Sequence, residues 1–141
     1  MIAIIQARIN SSRLFSKSVK KIYGNLSAID IILKKLHSLY EKKYIKEIYI
    51  ATGSFKKNKY LEKYNTKGVK VYFGSELDVQ SRFIEILNNA QSKYCIRLTA
   101  DNPFVDIDLI EILMKKIEKK NLNYISFLKD KIPYGSGVEI F

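Results

Sequence analysis

The chain has 141 residues, of which 47% are apolar. This is enough to fold around a hydrophobic core as a single domain, residues 1–141. The first apolar run, Ile2–Ile5, is too short for the core of a signal peptide, and no stretch approaches the ~20 apolar residues of a membrane span. These features argue against secretion and against a membrane partner, and they favour a cytoplasmic protein.

The net charge is +11, from 25 basic and 14 acidic residues, which would suit a polyanionic partner such as a nucleic acid. The lysines are scattered over the whole chain, however, and the aromatic residues mostly fall in apolar segments. This pattern argues against a nucleic-acid-binding surface. Arginine, whose rigid fork suits phosphate or carboxylate recognition better than lysine does, occurs only at Arg8, Arg13, Arg82 and Arg97.

Apolar segments predict strands that alternate with helices. The predicted strands are Ile2–Gln6, Lys46–Ala51, Val69–Phe73, Tyr94–Leu98, a weaker Tyr124–Phe127 and a last one within Gly137–Phe141. Apolar residues at helical spacing predict helices over Ile29–Tyr40, Val79–Ala90 and Ile110–Ile117, and a less regular one over Asn58–Tyr64. The alternation predicts an α/β fold, with a mainly parallel Rossmann-like sheet and helices on both faces.

Two local details accompany these elements. Asp108 and Glu111 form a plausible capping pair at the start of the last helix. The single cysteine, Cys95, lies in the fourth strand and cannot form an internal disulfide. We expect it to be a small core residue, because free cysteine is usually buried. No cysteine and histidine pattern indicates zinc.

Polar loops follow the first four predicted strands. They are the segments 7–17, 52–54, 74–78 and 99–103. Ligands of open α/β sheets bind outside the carboxyl ends of the strands, so these loops are expected to form one site.

The first loop carries the groups that a triphosphate requires. Arg8, Arg13 and Lys17 can neutralise negative charge, while Ser11, Ser12 and backbone N–H groups can donate hydrogen bonds to phosphate oxygens. The loop is not a Walker A motif, because it has no Gly-Lys-Ser or Gly-Lys-Thr run. A solvated basic loop is the alternative interpretation.

Three further polar residues each allow two interpretations. Asp101 follows a strand and precedes Asn-Pro, where it would either hold a phosphate-bound Mg²⁺ or close an Asx turn. Asp78 precedes a helix and is best interpreted as its N-cap. Arg82, one turn later, would pair with Asp78 on the surface or face the cleft.

The loop residues resemble a known family. The matching segments are Ile4–Lys17, Ala51-Thr52, Gly74–Arg82, Ile96–Pro103, Tyr134-Gly135 and Glu139–Phe141. In order and spacing they resemble the signature of the cytidylyltransferases, in the branch typified by spore coat polysaccharide biosynthesis proteins and related to the CMP-sugar synthetases. Two departures are visible. Phe15-Ser16 stands where the family usually has Pro-Gly, and family members usually continue for roughly another hundred residues.

The resemblance implies a fold of the nucleotide-diphospho-sugar transferase type. It also implies Mg²⁺-assisted transfer of CMP from CTP to an acidic or surface-polysaccharide sugar, with release of pyrophosphate, and it allows a homodimer. By position, the nucleotide contacts would be Gln6, Ala7, Arg8, Ser11, Ser12, Arg13, Lys17, Thr52, Asp78 and Arg82. Asp101 would hold the metal, and Arg8 and Lys17 would join it as catalytic residues.

We therefore expect an enzyme of this kind, with CTP or a related nucleotide and a sugar acceptor as partners. Since the acceptor half of the family is largely missing, the first alternative is a nucleotide-binding remnant without catalysis. A basic nucleic-acid-binding module is the second alternative.

Overall fold

The computed structural model describes residues 1–7, 19–127, 131–133 and 136–141. Its strands are β1 (Ile2–Gln6), β2 (Lys21–Tyr23), β3 (Leu26–Ser27), β4 (Ile48–Thr52), β5 (Val69–Phe73), β6 (Cys95–Thr99), β7 (Ile125–Ser126) and β8 (Glu139–Ile140). Its helices are α1 (Ala28–Glu41), α2 (Phe55–Asn58), α3 (Val79–Ala90) and α4 (Ile107–Lys120), with a 3-10 helix over Lys59–Tyr64.

Six strands form one sheet in the order β5-β4-β1-β6-β8-β7. The first four are mutually parallel, joined by crossovers that contain α1, α3 and the 3-10 helix. This confirms the mainly parallel α/β fold. The last predicted strand also exists, but it runs antiparallel between β6 and β7, an arrangement that the alternating pattern did not predict.

Both faces of the sheet are covered, as expected. On one face Ala3 and Ile5 of β1 pack into a large core with the apolar sides of α1 and α4. On the other face Ile2 and Ile4 pack with Phe83 of α3 into a smaller core. Alternate residues of a strand point to opposite faces, so β1 contributes to both cores. Cys95 is fully buried in the smaller core, as predicted.

The N-caps of helices α1 and α4 could not both be assigned from the sequence. Helix α1 begins with a capping box in which the Ser27 side chain accepts from the Asp30 backbone and Asp30 accepts from the Ser27 backbone. The predicted capping pair of α4 is wrong. Asp106 is the N-cap, and its carboxylate accepts from the N–H groups of Asp108 and Leu109. Asp106 is the cap because its backbone is extended, as an N-cap residue requires, whereas Asp108 already lies in the first turn of the helix.

Other boundaries differ by a few residues. The predicted strand Lys46–Ala51 is Ile48–Thr52, and the predicted helix Asn58–Tyr64 is the 3-10 helix. The short hairpin of β2 and β3 was not predicted, because the residues of β2 are all exposed and give no apolar alternation. Among the residues that the structure describes, no helix is long and apolar enough to cross a membrane.

Candidate functional site

The carboxyl ends of the four parallel strands meet at one edge of the sheet. The backbone N–H of Ala7 donates to the Ala51 carbonyl at 2.9 Å, and that of Ala100 donates to the Gln6 carbonyl at 2.9 Å. On the other side, the N–H of Gly74 donates to the Thr52 carbonyl at 3.1 Å. The strands therefore end level with one another, and the polar loops that follow them begin side by side.

The predicted triphosphate loop begins at this edge. Gln6 is the half-buried last residue of β1, and Ala7 is buried. The other predicted contacts in this loop, Arg8, Ser11, Ser12, Arg13 and Lys17, lie outside the described residues, as does Tyr134-Gly135 of the family signature. Their roles stay predictions.

Thr52 ends β4 and is fully buried. Its hydroxyl makes no hydrogen bond with any other residue that the structure describes. The next loop is held by Glu76, whose carboxylate accepts from the Ser54 N–H at 2.9 Å and from the Ser54 hydroxyl at 3.2 Å. A Cβ at Gly53 would overlap that carboxylate, so a side chain at this position would push the end of Glu76 aside. The loop after β4, which begins at Thr52, is thus in direct contact with the loop after β5 through Glu76.

The same contact changes the acidity of Glu76. The backbone N–H of Ser54 is the main cause that lowers the pKa of this carboxyl below its ordinary value, and the Ser54 hydroxyl and the charges of Lys57 and Arg82 add to the effect. Glu76 therefore stays ionised at neutral pH at the edge where the loops meet.

Asp78 is the N-cap of α3. Its Oδ1 accepts from the Ser81 N–H at 3.0 Å, and its own N–H donates to the Ser75 hydroxyl at 3.0 Å. The side chain thus has the structural role that the sequence favoured. It is exposed at the same edge as the loops, so the predicted nucleotide contact remains untested.

Arg82 is fully buried, which excludes one of its two interpretations, a pair with Asp78 on the surface. Its chain passes beside Gly74, where a Cβ would lie 2.8 Å from Arg82 Cγ and 2.8 Å from Tyr72 Cε1. A side chain at position 74 would displace the arginine. The glycine after β5 therefore allows a buried positive charge directly behind the loop edge.

The loop that carries Asp101 follows β6 and is tied to α1. Asp101 is exposed. Lys35 of α1 donates through Nζ to the carbonyl of Pro103 at 3.0 Å and to that of Val105 at 2.8 Å. These two bonds hold the loop against the helix from two sides of Phe104. Lys35 thereby fixes the backbone that presents Asp101.

Comparisons with known proteins agree with this geometry. The family model described as cytidylyltransferase matches residues 2–141. The chain belongs to the cytidylyltransferase family. The match includes all four loops at the sheet edge, so the predicted resemblance is confirmed.

Two curated relatives of this cytidylyltransferase-family chain are each 34% identical to it. One is an uncharacterised protein of Methanocaldococcus jannaschii, matched over 142 residues that span 100% of this chain and 56% of that protein. The other is the spore coat polysaccharide biosynthesis protein SpsF of Bacillus subtilis, matched over 114 residues that span 79% of this chain and 47% of that protein. The chain thus spans about half the length of these relatives.

Solved structures show the same fold. A cytidylyltransferase from Leptospira borgpetersenii superposes with a TM-score of 0.81 at 22% identity, covering 99% of this chain and 59% of that one. The CMP:2-keto-3-deoxy-manno-octonic acid synthetase, solved with CTP, gives a TM-score of 0.70 at 18% identity, covering 92% of this chain and 54% of that one. The nucleotidyltransferase type of Rossmann-like fold is therefore confirmed.

The described part of the loop edge has no dense cluster of metal-binding side chains. Among the described residues, no group of three histidine, cysteine, aspartate or glutamate side chains lies close enough to hold an ion. Mg²⁺ in phosphate sites needs only one or two protein carboxylates, because water and phosphate oxygens supply its other ligands. Asp101, exposed at the loop edge, fits that requirement.

Sequence reasoning missed two residues of this edge. Lys35 contacts carbonyls 68 and 70 residues away, and no local pattern distinguishes it from the many other lysines. Glu76 lies in the predicted polar loop 74–78. Its contact with the neighbouring loop could have been predicted from an acidic residue in one loop and a glycine, Gly53, in the other.

Proposed function

We propose that the protein transfers CMP from CTP to a sugar and releases pyrophosphate. The observation that carries this proposal is the meeting of four polar loops at the carboxyl edge of β1, β4, β5 and β6, in a chain of the cytidylyltransferase family. SpsF of Bacillus subtilis is a spore coat polysaccharide biosynthesis protein by name, which supports a surface-polysaccharide sugar as acceptor, and the similar fold of the CMP:2-keto-3-deoxy-manno-octonic acid synthetase supports a sugar acid.

The chemistry needs charge stabilisation rather than a protein nucleophile. A sugar hydroxyl oxygen attacks the α-phosphorus of CTP, the bond from that phosphorus to the bridging oxygen breaks, pyrophosphate leaves, and the hydroxyl proton passes to solvent or a base. In this proposal Arg8, Arg13 and Lys17 neutralise the triphosphate, with Ser11 and Ser12 donating hydrogen bonds.

The remaining residues orient the nucleotide and its metal. Asp101 would hold Mg²⁺, which when bound supplies charge neutralisation on the phosphates. Lys35 positions the Asp101 loop. The buried charge of Arg82 and the exposed Asp78 lie beside the β5 loop, where they order that loop and border the nucleotide.

Nucleotide-dependent thermal stabilisation tests the proposal directly. The melting temperature is measured with CTP, ATP, GTP and UTP, each with and without Mg²⁺. A ligand at about 100 times its dissociation constant adds ~2.7 kcal/mol to stability, which raises the melting temperature of a chain of this size by roughly 8–12 °C. CTP with Mg²⁺ is expected to give the largest shift. If none of the four nucleotides shifts the melting temperature, the proposal is wrong.

Two aspartate variants test the metal assignment. Asp101→Ala should remove the Mg²⁺-dependent part of the CTP shift, with the shift of each variant measured from its own melting temperature without nucleotide. Asp108→Ala is the matched control, because Asp108 is also exposed and lies only a few residues further along. Equal behaviour of the two variants would exclude Asp101 as the magnesium ligand.

Nucleotide binding without transfer is the second candidate function, because the loops of this sheet edge could hold a nucleotide whether or not a sugar acceptor binds. Pyrophosphate release, measured with CTP, Mg²⁺ and a panel of sugar acids, separates the two. Release above the sugar-free rate supports transfer, and a CTP shift without any release supports binding alone. Salt-dependent DNA binding with no nucleotide shift would instead support the nucleic-acid alternative.

A further inference from the structure

A polar cluster lies on the α3 face of the sheet, beside the start of the first loop. Arg97 of β6 and Glu139 of β8 are directly opposite in register, and Arg97 Nη1 donates to Glu139 Oε2 at 2.6 Å. Arg97 Nη2 donates to Gln6 Oε1 at 3.4 Å. Three strands, two of them central, thus contribute one connected group of side chains.

The orientation of the cluster follows from strand alternation. Ile4 and Cys95 lie in the smaller core under α3, and Gln6 and Arg97 are two residues further along the same strands. Side chains two residues apart in a strand share a face. The strands therefore change from apolar to polar on this face as they approach their carboxyl ends.

The cluster is accessible and has unused hydrogen-bonding capacity. The side chains of Arg97 and Glu139 are 39% and 38% exposed. Within the described part of the chain, neither the second carboxylate oxygen of Glu139 nor the amide nitrogen of Gln6 has a hydrogen-bond partner. Thr99, which pairs with Gln6 in register, adds an exposed hydroxyl. Both donors and acceptors therefore face solvent here.

The charges of this cluster select against an anion. The formal charges of Arg97 and Glu139 cancel, and a carboxylate or phosphate placed beside Glu139 would be repelled by its free oxygen. A ligand with several hydroxyl groups suits the cluster better, because each hydroxyl both donates and accepts.

The position of the cluster indicates which of the two substrates, the nucleotide or the sugar, would bind to it. Gln6 is the last residue of β1, and the predicted triphosphate loop follows it directly in the sequence. A sugar bound at Gln6 would therefore lie next to the predicted triphosphate loop, as an attacking acceptor must.

We propose that Gln6, Arg97 and Glu139 form a subsite for the hydroxyl groups of the sugar acceptor, and that this subsite does not bind the carboxylate of a sugar acid. The inference rests on the proposed function for the identity of the sugar as acceptor. Glu139 accepts hydrogen bonds from sugar hydroxyls, while Arg97 and Gln6 donate to sugar oxygens. Arg97 also holds Glu139 in place.

Sugar binding to the CTP-saturated protein tests this subsite. Saturation-transfer and chemical-shift NMR are recorded with D-glucose, D-mannose and N-acetyl-D-glucosamine, and with 2-keto-3-deoxy-manno-octonic acid as the acidic probe. At least one sugar is expected to bind and to shift the side-chain amide signal of Gln6 in the wild type. Glu139→Gln should weaken that binding at least tenfold and leave the CTP-induced thermal shift unchanged.

A second ion pair provides the matched control. Lys42 donates to Glu111 at 2.8 Å on another part of the surface, so Glu111→Gln removes a comparable pair and should change neither sugar nor CTP binding. Arg97→Lys keeps the positive charge but loses the guanidinium fork, and it should weaken sugar binding as Glu139→Gln does.

Each other outcome is informative about a different claim. Unchanged sugar binding in Glu139→Gln, or a CTP shift with no sugar bound, overturns the subsite. Glu139-dependent sugar binding without any CTP shift would support the subsite and refute the proposed transfer from CTP.

Discussion

Replacement of Lys35 by methionine tests how the Asp101 loop is held. The change removes the ammonium group that bridges the carbonyls of Pro103 and Val105 at 3.0 and 2.8 Å, and it keeps most of the apolar side-chain length. Hydrogen bonds to charged groups contribute about 1.5–3 kcal/mol each when buried. Lys35 is only half buried, so water can replace part of this contribution.

We therefore expect the Lys35→Met variant to lose about 1–3 kcal/mol of unfolding free energy, equivalent to roughly 4–10 °C in melting temperature. Urea denaturation and thermal unfolding measure the loss. Amide hydrogen exchange should also accelerate selectively in residues 100–106, because the loop would open without unfolding the sheet. If CTP binds as proposed, the Mg²⁺-dependent part of its stabilisation should fall more than the Mg²⁺-independent part.

Lys34 provides the control. It is adjacent to Lys35, exposed, and without a hydrogen bond to any other described residue. Lys34→Met should therefore leave both stability and exchange unchanged. If the two variants have equal melting temperatures, or if loop exchange is unaltered in Lys35→Met, the two bonds do not hold the loop as argued.

Three further changes test individual residues. Asp78→Ala should lower the unfolding free energy by ~1 kcal/mol in urea denaturation, whereas Asp78→Asn should be nearly neutral because asparagine is an equally good N-cap. Loss of CTP binding in the asparagine variant would show that Asp78 also contacts the nucleotide. Burial tends to raise the pKa of Asp30, but the hydrogen bonds from Ser27 outweigh it and the pKa is lowered from 3.8. The stability difference between wild type and Asp30→Asn should thus persist at neutral pH and shrink as pH falls below about 4 in pH-dependent denaturation; a constant difference refutes the ionic capping box. Burial raises the pKa of the Cys95 thiol to about 12, so Ellman's reagent should react with it only after unfolding, and rapid reaction of the native protein would contradict its burial.

The parallel half of the sheet could be predicted from the sequence because each strand is a short apolar run between polar loops. Ile2–Gln6 and Val69–Phe73 match their predicted bounds. The convergence of the loops then followed from parallel topology alone. The predictable part of the molecule is thus the part in which burial dictates residue type.

The rest depended on contacts between distant residues. Nothing near Glu139 in the sequence indicates that it pairs with Arg97, which lies 42 residues away. The burial of Arg82 depends on the absence of a side chain at Gly74, and the α4 cap depends on which of two neighbouring aspartates has an extended backbone. Such choices are made by tertiary geometry, so local patterns leave them open.

The placement of β8 has a consequence for the order of folding. Within the described part of the chain, β7 joins the sheet only through β8, although β7 precedes β8 in synthesis. The parallel strands and their helices can pair as they emerge from the ribosome, whereas β7 has no partner until residues 139–140 arrive. This edge of the sheet and the Arg97–Glu139 pair therefore cannot be completed until residues 138–140 are available, and neither can the part of the large core that Ile125, Val138 and Ile140 supply.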